Sequence, residues 1–262
     1  MDEEEETPPL FSIILVVKDN PHLSSVTLES FKQQQERDFE TIVVHNRLVE
    51  REIKLYKSAY SSINYIQFSK AQTIAAMLNE GALFARGKYL IFFFPGDYFL
   101  SANSLTYIKK TIDEEQDTDL LCTSFLIRDA SYAPEVSQRI FCFDMLSRGK
   151  ITSRLSGCIF NRKTFEEMQG FDSRYDHREG LDFLSRLYLA RKYRNSFLPR
   201  VVTDYEYVKK PPHEVLLYGW ETTLVLYRNF GLKKAIGWLI FKDQMKMIRM
   251  WLKSIRYFFS RG

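Results

Sequence analysis

Cysteine is scarce in this chain and stands in no pattern: Cys122, Cys142 and Cys158 form neither an even set nor a C-x-x-C pair. A disulfide framework is therefore not expected, and reduced, mostly structural thiols are. Long apolar runs are missing too. The longest, Tyr89-Leu-Ile-Phe-Phe-Phe94 with Pro95 behind it, falls far below the roughly 20 apolar residues of a spanning helix, so no bilayer crossing is expected. Eleven Gly and eight Pro without a low-complexity tract exclude collagen-like and linker-dominated chains. A basic leader is absent as well: the chain opens on Met1 and a run of acids from Asp2 to Glu6, the reverse of a secretory signal, and a cytoplasmic location is expected. Histidines are few; His22, His177 and His213 read as surface or cap residues, with His177 beside an acidic segment.

What the chain does have is a core. Of its 262 residues 45% are apolar and 15% aromatic, ample for one large domain. Its net charge of +4 is unevenly spread: Leu232 to Gly262 holds eight basic residues against the single acid Asp243, a net of +7 that leaves −3 for the rest. The body is mildly acidic and the C-terminal tail strongly basic.

Residues 1–9 form an acidic tail, expected to be poorly ordered. The nearly continuous β-branched run Phe11 to Val17 predicts a strand buried on both faces. Periodicity then predicts a helix over 23–35, a strand from Glu40 to His45, a polar helix at 49–60, a strand from Ile63 to Phe68 and a helix from Lys70 to Ala85, stopped by Gly87. A fourth strand spans Lys88 to Phe94 and leads into the turn Pro95-Gly96-Asp97. A helix from Ser101 to Glu115 and a strand from Asp119 to Ile127 follow; residues 128–212 read as α+β, with a helix near Leu181 to Lys192 and extended segments near Ile140 and Val201, and the last 50 residues are mainly helical. Such alternation implies parallel βαβ units in a doubly wound sheet, with ligands at the C-terminal strand ends. Polar residues stand at three of these ends: Lys18-Asp19-Asn20, His45-Asn46-Arg47 and Pro95-Gly96-Asp97.

The pieces follow one another in a familiar order. Ser12-Ile-Ile-Leu-Val-Val-Lys-Asp-Asn20 is similar to an opening strand S-I-I-I-P-x-Y-N-E, with Val16 and Lys18 in place of Pro and Tyr. Glu40-Thr-Ile-Val-Val-His-Asn46 is similar to E-I-I-V-V-D-D/N, with His45 where the first acid is expected. Ala75 to Gly81, followed by Ala85-Arg-Gly87-Lys-Tyr89, matches A-x-x-x-N-x-G…A-x-G-x-Y. Downstream come Gly157-Cys-Ile-Phe160-Asn-Arg162, Gly170-Phe171-Asp172 and Glu179-Gly-Leu-Asp182-Phe-Leu-Ser-Arg186, similar to a G-F-D turn ahead of E-D-x-D/E-L-x-x-R. Over about residues 10–210 the chain resembles the family 2 inverting glycosyltransferases of the GT-A fold.

The resemblance implies an α/β, Rossmann-like, mostly parallel sheet flanked by helices over 10–210, and a helical extension over 211–262. It also implies a donor that is a nucleotide-diphosphate sugar, an acceptor that is a glycan or a lipid-linked cell-envelope molecule, and transfer with inversion. In the family a D-x-D at the end of the fourth strand holds a divalent cation, Mg2+ or Mn2+, against the diphosphate. Here Phe94 and Gly96 take the first two acidic places and Asp97 remains, read either as a cation ligand or as a cap of the following turn. Asp117-Thr-Asp119 has the letters of D-x-D but lies at the start of a strand, away from the ligand-binding rim, and reads as turn acids. The usual base is the second residue of E-D, which is Gly180 here, so Glu179 or Asp182 has to substitute, and Glu179 is the choice because it precedes the helix, where backbone amides and the cleft are close; both also suit the first turn of a helix without any catalytic task. Val17, Asp19, His45, Asn46 and Thr73 are the expected nucleotide contacts. The replaced acids keep a second possibility open, a non-catalytic relative that uses the fold for binding or scaffolding.

From Trp238 to Phe259 apolar residues recur every three or four positions, with Lys242, Lys246, Arg249, Lys253 and Arg256 one residue behind. This pattern suits a helix lying in an anionic membrane surface, through residues 232–262. A terminal helix packed on the catalytic domain with a solvated basic flank is the alternative. No groove-reading or stacking motif accompanies the charge, so nucleic acid is not an expected partner.

Overall fold

The computed structural model describes residues 7–18, 21–46, 53, 54, 57, 62–68, 72–129, 132–137, 142–150, 154–206 and 211–241. The acidic start at 1–6, most of the expected helix at 49–60, the extended segment near Ile140 and the tail from 242 onward lie outside the described residues.

Strand β1 (Phe11–Val17) is buried along its whole length because it lies between two parallel partners, β2 (Phe39–Asn46) and β4 (Tyr89–Phe93). Its alternate residues feed opposite faces: Ile14 and Val16 enter one core, Ile13, Leu15 and Val17 the other. This is the continuous apolar run that a two-sided strand requires. Strand β3 (Asn64–Phe68) closes the parallel half, α1 (Ser24–Lys32) connects β1 to β2 and α2 (Ile74–Leu83) connects β3 to β4, while α3 (Ser104–Glu114) comes after β4 in the chain.

Beyond β4 the sheet changes character. Strands β5 (Tyr98–Phe99), β6 (Leu120–Asp129), β7 (Tyr132–Ser137), β8 (Cys158–Asn161) and β9 (Asn195–Glu206) complete it in the order β3-β2-β1-β4-β8-β6-β9-β5, with β7 on β6. Strand β8 runs antiparallel to both β4 and β6. Cys122 and Cys158 face each other across that pairing as buried thiols, and Cys142 is exposed. Short helices α4 (Phe143–Ser147) and α5 (Arg162–Glu167) precede α6 (Glu179–Ala190), and α7 (Pro212–Phe230) and α8 (Leu232–Phe241) end the described chain.

Two glycines explain why the best-matched stretch is spelled as it is. A Cβ on Gly81 would stand 2.4 Å from Ile14 Cγ2, and one on Gly87 would stand 2.6 Å from the backbone of Phe11 and Ser12. The absence of side chains lets α2 and the start of β4 close onto β1. Asn79 then joins two motifs that are far apart in sequence: its amide donates to Phe171 O at 2.7 Å and its carbonyl accepts from Phe171 N at 2.9 Å. Phe171 in turn packs with Phe92, Phe160, Phe165 and Phe183, ring centroids 5.0–6.1 Å apart. Each such aromatic pair contributes about 1 kcal/mol beyond its buried area. The G-F-D turn is thereby anchored, and with it the segment that leads into α6.

Candidate active site

The segment Phe171 to Glu179 is held from two sides. On one side is the start of α2. Thr73 caps that helix, accepting from Ala76 N at 3.2 Å, and its hydroxyl donates to Ser173 O at 2.7 Å. Ile74 N donates to Asp176 Oδ1 at 2.7 Å, and the other oxygen of Asp176 pairs with Lys18 Nζ at 2.5 Å. On the other side is α7. The Glu221 carboxylate, 4% exposed, accepts from the amides of Asp176, His177 and Arg178 at 3.0, 2.9 and 3.0 Å. These amides belong to the loop ahead of α6 and to its N-cap position Arg178, where α6 has no side-chain cap of its own, and buried backbone amides need acceptors. Glu221 supplies one from a neighbouring helix. Arg178 is buried over the Tyr218 ring, 4.1 Å from its centroid, with guanidinium hydrogen bonds to the Tyr218 hydroxyl and Gly149 O.

These contacts deliver Glu179 to the wall of a cavity of about 480 Å³, shared with Lys18, Arg154, Asp176, His177 and His213. Glu179 is 8% exposed, and its Oε2 has no hydrogen-bond partner among the described residues. Burial pushes its carboxyl up to about 7; the charges of Glu221 and Asp176 act in the same direction, against its own backbone amide and Arg178. A carboxyl raised towards neutrality on the wall of a cavity suits a general base.

Asp182, one turn further along α6, is placed differently. Its carboxylate accepts from Arg186 Nε at 2.7 Å and Asn229 Nδ2 at 3.1 Å, and Arg186 continues to Met168 O and Gly170 O at 2.6 Å each. It ties α6 to α7 and to the G-F-D turn and is not part of the cavity wall.

Asp97 follows β4 as the motif requires, but the residue is 2% exposed. Burial raises its carboxyl to about 6, with the Asp204 charge adding and Arg154 and Ser156 opposing. Arg154 stands beside it, Nη2 to Oδ1 3.8 Å. Phe94 lines the cavity without an oxygen donor, Gly96 turns the chain at φ +92°, and among the described residues no three of His, Cys, Asp or Glu converge on one point. A hard divalent cation needs oxygen ligands; a single buried carboxylate beside a guanidinium does not fit one.

Val17 and His45 are fully buried at the ends of β1 and β2, side by side in the parallel register, and Asn46 Nδ2 donates to Lys18 O at 3.0 Å. They lie at the C-terminal rim next to the cavity rather than on its wall; Asp19 lies outside the described residues. Asp117 pairs with Lys88 at 2.6 Å, while Asp119 accepts from the Thr164 hydroxyl and from Arg194 N at 2.8 Å, so both stay with the strand start. Sequence reasoning missed Arg154 and Glu221. Arg154 stands three residues ahead of the matched Gly157 with no spacing signal, and Glu221 looks like one more polar position on a helix.

The family model for glycosyl transferase family 2 matches residues 12–177. Among solved structures, residues 1–349 of S. aureus TarS in complex with UDP-GlcNAc align with a TM-score of 0.66 at 15% identity, covering 86% of this chain and 68% of that one. The same TarS fragment in complex with UDP gives 0.63 at 17% identity, covering 92% and 77%. The mannosyltransferase PcManGT from Pyrobaculum calidifontis, in complex with GDP-Man and Mn2+, gives 0.58 at 12% identity, covering 96% and 81%. No curated protein sequence matches the chain. At these identities the structural likenesses show a common fold.

Proposed function

The chain belongs to glycosyl transferase family 2 and has the GT-A fold, and on that premise we propose that it moves a sugar from a nucleotide-diphosphate sugar to an acceptor hydroxyl with inversion, Glu179 being the base. The observation that carries this reading is the Glu179 carboxyl, raised to about 7, on the wall of a cavity that it shares with Lys18 and Arg154. In a single displacement the acceptor oxygen bonds to the anomeric carbon, its proton passes to Glu179, and the bond to the phosphate breaks with its electron pair leaving on the diphosphate. The complexes of TarS with UDP-GlcNAc and UDP, and of PcManGT with GDP-Man, support a nucleotide-linked donor. We assign the nucleotide to Val17, Asp19, His45 and Asn46, Thr73 to fixing the loop that precedes Glu179, and Asp182 to anchoring α6. A base tuned this way favours an enzyme over a binding scaffold.

For the acceptor we propose a glycan or lipid-linked molecule met at an anionic membrane surface. No described helix is long and apolar enough to cross a membrane. Helices α7 and α8 do present exposed Trp220, Tyr227, Leu232, Ile236, Leu239 and Ile240, together with exposed Lys233 and Lys234, the composition of an interfacial surface.

Assays of purified protein with UDP- and GDP-linked sugars, read as nucleoside diphosphate release, test the reading. Wild type is expected to turn over at least one donor, and Glu179→Gln is expected to lose about 100-fold or more. Unchanged turnover by Glu179→Gln would remove Glu179 as the base.

A further inference from the structure

The donor chemistry above leaves one requirement unmet. Charge accumulates on the diphosphate as its bond to the sugar breaks, and a positive group has to be in place to stabilise it. The acidic places that would hold a cation for this purpose are Phe94, Gly96 and the buried Asp97.

Arg154 stands on the cavity wall with Glu179. Its guanidinium lies over the Tyr205 ring, 3.4 Å from the centroid, a stacking that sets the plane of the fork before any ligand arrives. Its Nη2 is 3.8 Å from Asp97 Oδ1, too far for a hydrogen bond, and it makes none to another described residue. Asp97 thus balances part of the charge from behind without occupying the N–H donors. Lys18, the other permanent cation on the wall, is already committed to Asp176 at 2.5 Å.

We propose that Arg154 replaces the divalent cation, its guanidinium binding the diphosphate of the donor and stabilising it as it leaves. The inference rests on the nucleotide-sugar reading and narrows it to metal-independent transfer. Two parallel N–H donors match two phosphate oxygens, and a guanidinium stays charged at every working pH. The balance is that of the displacement above: the electron pair of the broken bond resides on the diphosphate, held by Arg154, and the proton resides on Glu179. The Tyr205 ring keeps the fork from collapsing onto Asp97.

Calorimetric titration of the full chain with UDP and with GDP, each in EDTA and each with Mn2+ or Mg2+, tests this. One of the two nucleotides is expected to bind in EDTA with an affinity that added cation leaves within about twofold, and Arg154→Ala is expected to weaken it about tenfold or more. Arg154→Lys keeps the charge but loses the fork and is expected to fall between; it serves if the alanine variant folds poorly. Asp97→Asn is expected to retain binding in EDTA, since the guanidinium loses only a competing carboxylate. Binding that requires the cation and disappears in Asp97→Asn would overturn the proposal and leave the donor reading standing. Failure of the wild type to bind either nucleotide in any of these buffers would overturn both.

Discussion

Glu221 governs Glu179 from the neighbouring helix: its buried carboxylate takes the three amides that precede Glu179, and its charge helps raise the Glu179 carboxyl. Helix α7 is therefore part of the site and not an appendage to it. Replacing Glu221 by Gln removes the charge and turns one oxygen into a donor facing amide donors. The pH–rate profile of that variant is expected to move to lower pH, with a reduced plateau. Glu221→Ala, which leaves the buried amides unsatisfied, should cost about 3 kcal/mol or more in denaturant unfolding.

Glu179 itself makes opposite predictions for activity and stability. As a base it works ionised, so kcat/KM should rise with pH and level off above about 7. Because its folded value lies above its ordinary 4.5, its favourable contribution to stability is complete below pH 4.5 and is lost as pH rises through 7. The difference is about 3 kcal/mol. Glu179→Gln should accordingly melt higher than wild type at pH 8, with the gap closing at pH 5; equal gaps at both pH values would contradict the assignment.

Asp182 separates position from chemistry. Its ties to Arg186 and Asn229 predict that Asp182→Ala loses about 2 kcal/mol of stability, because the half-buried guanidinium and the Asn229 amide both lose their acceptor. The midpoint of the pH–rate profile is expected to stay where Glu179 puts it. A midpoint that moves in Asp182→Ala while that of Glu221→Gln stays fixed would reverse the two roles.

Gly87 is a test of the fold. An added Cβ would meet the β1 backbone at 2.6 Å, and backbone in the centre of a sheet does not yield as a side-chain tip does. Gly87→Ala is expected to destabilise by about 3 kcal/mol or more, or to prevent folding, as read by thermal melting.

The exposed face of α8 can be tested without touching the site. Changing Ile236 and Ile240 to Glu should leave nucleotide binding intact and reduce flotation with vesicles rich in anionic lipid, because both apolar contact and charge attraction are lost. Equal flotation of variant and wild type would sink the membrane reading for this face.

Most elements were legible in the sequence because their signals are local. The unbroken apolar run of Phe11 to Val17 declares a two-sided strand, and Gly87 in A-x-G-x-Y declares a close backbone approach. Helix ends were less so: the helix expected from Lys70 begins at Ile74, after the Thr73 cap, and the one expected over 23–35 ends at Lys32, since capping outweighs periodicity at termini. The run from Asp119 continues two residues past its expected end to Asp129, where its pairing with β7 carries it on.

The site divides along the same line. By itself the sequence determined the order of strands and helices, the family resemblance, the loss of the paired acids at Phe94 and Gly96, and Glu179 and Asp182 as the two candidate bases. The sequence also favoured Glu179 of the two because it precedes the expected helix. Only the tertiary structure supplied the different packing of two residues three positions apart, a cavity wall for Glu179 and Arg186 with Asn229 for Asp182. It also brought Arg154 and Glu221 to the site from outside every motif. Sequence spacing records contacts along one helix or strand, whereas burial, the raising of a carboxyl and the stacking of a guanidinium on Tyr205 arise between segments that are neighbours only after folding.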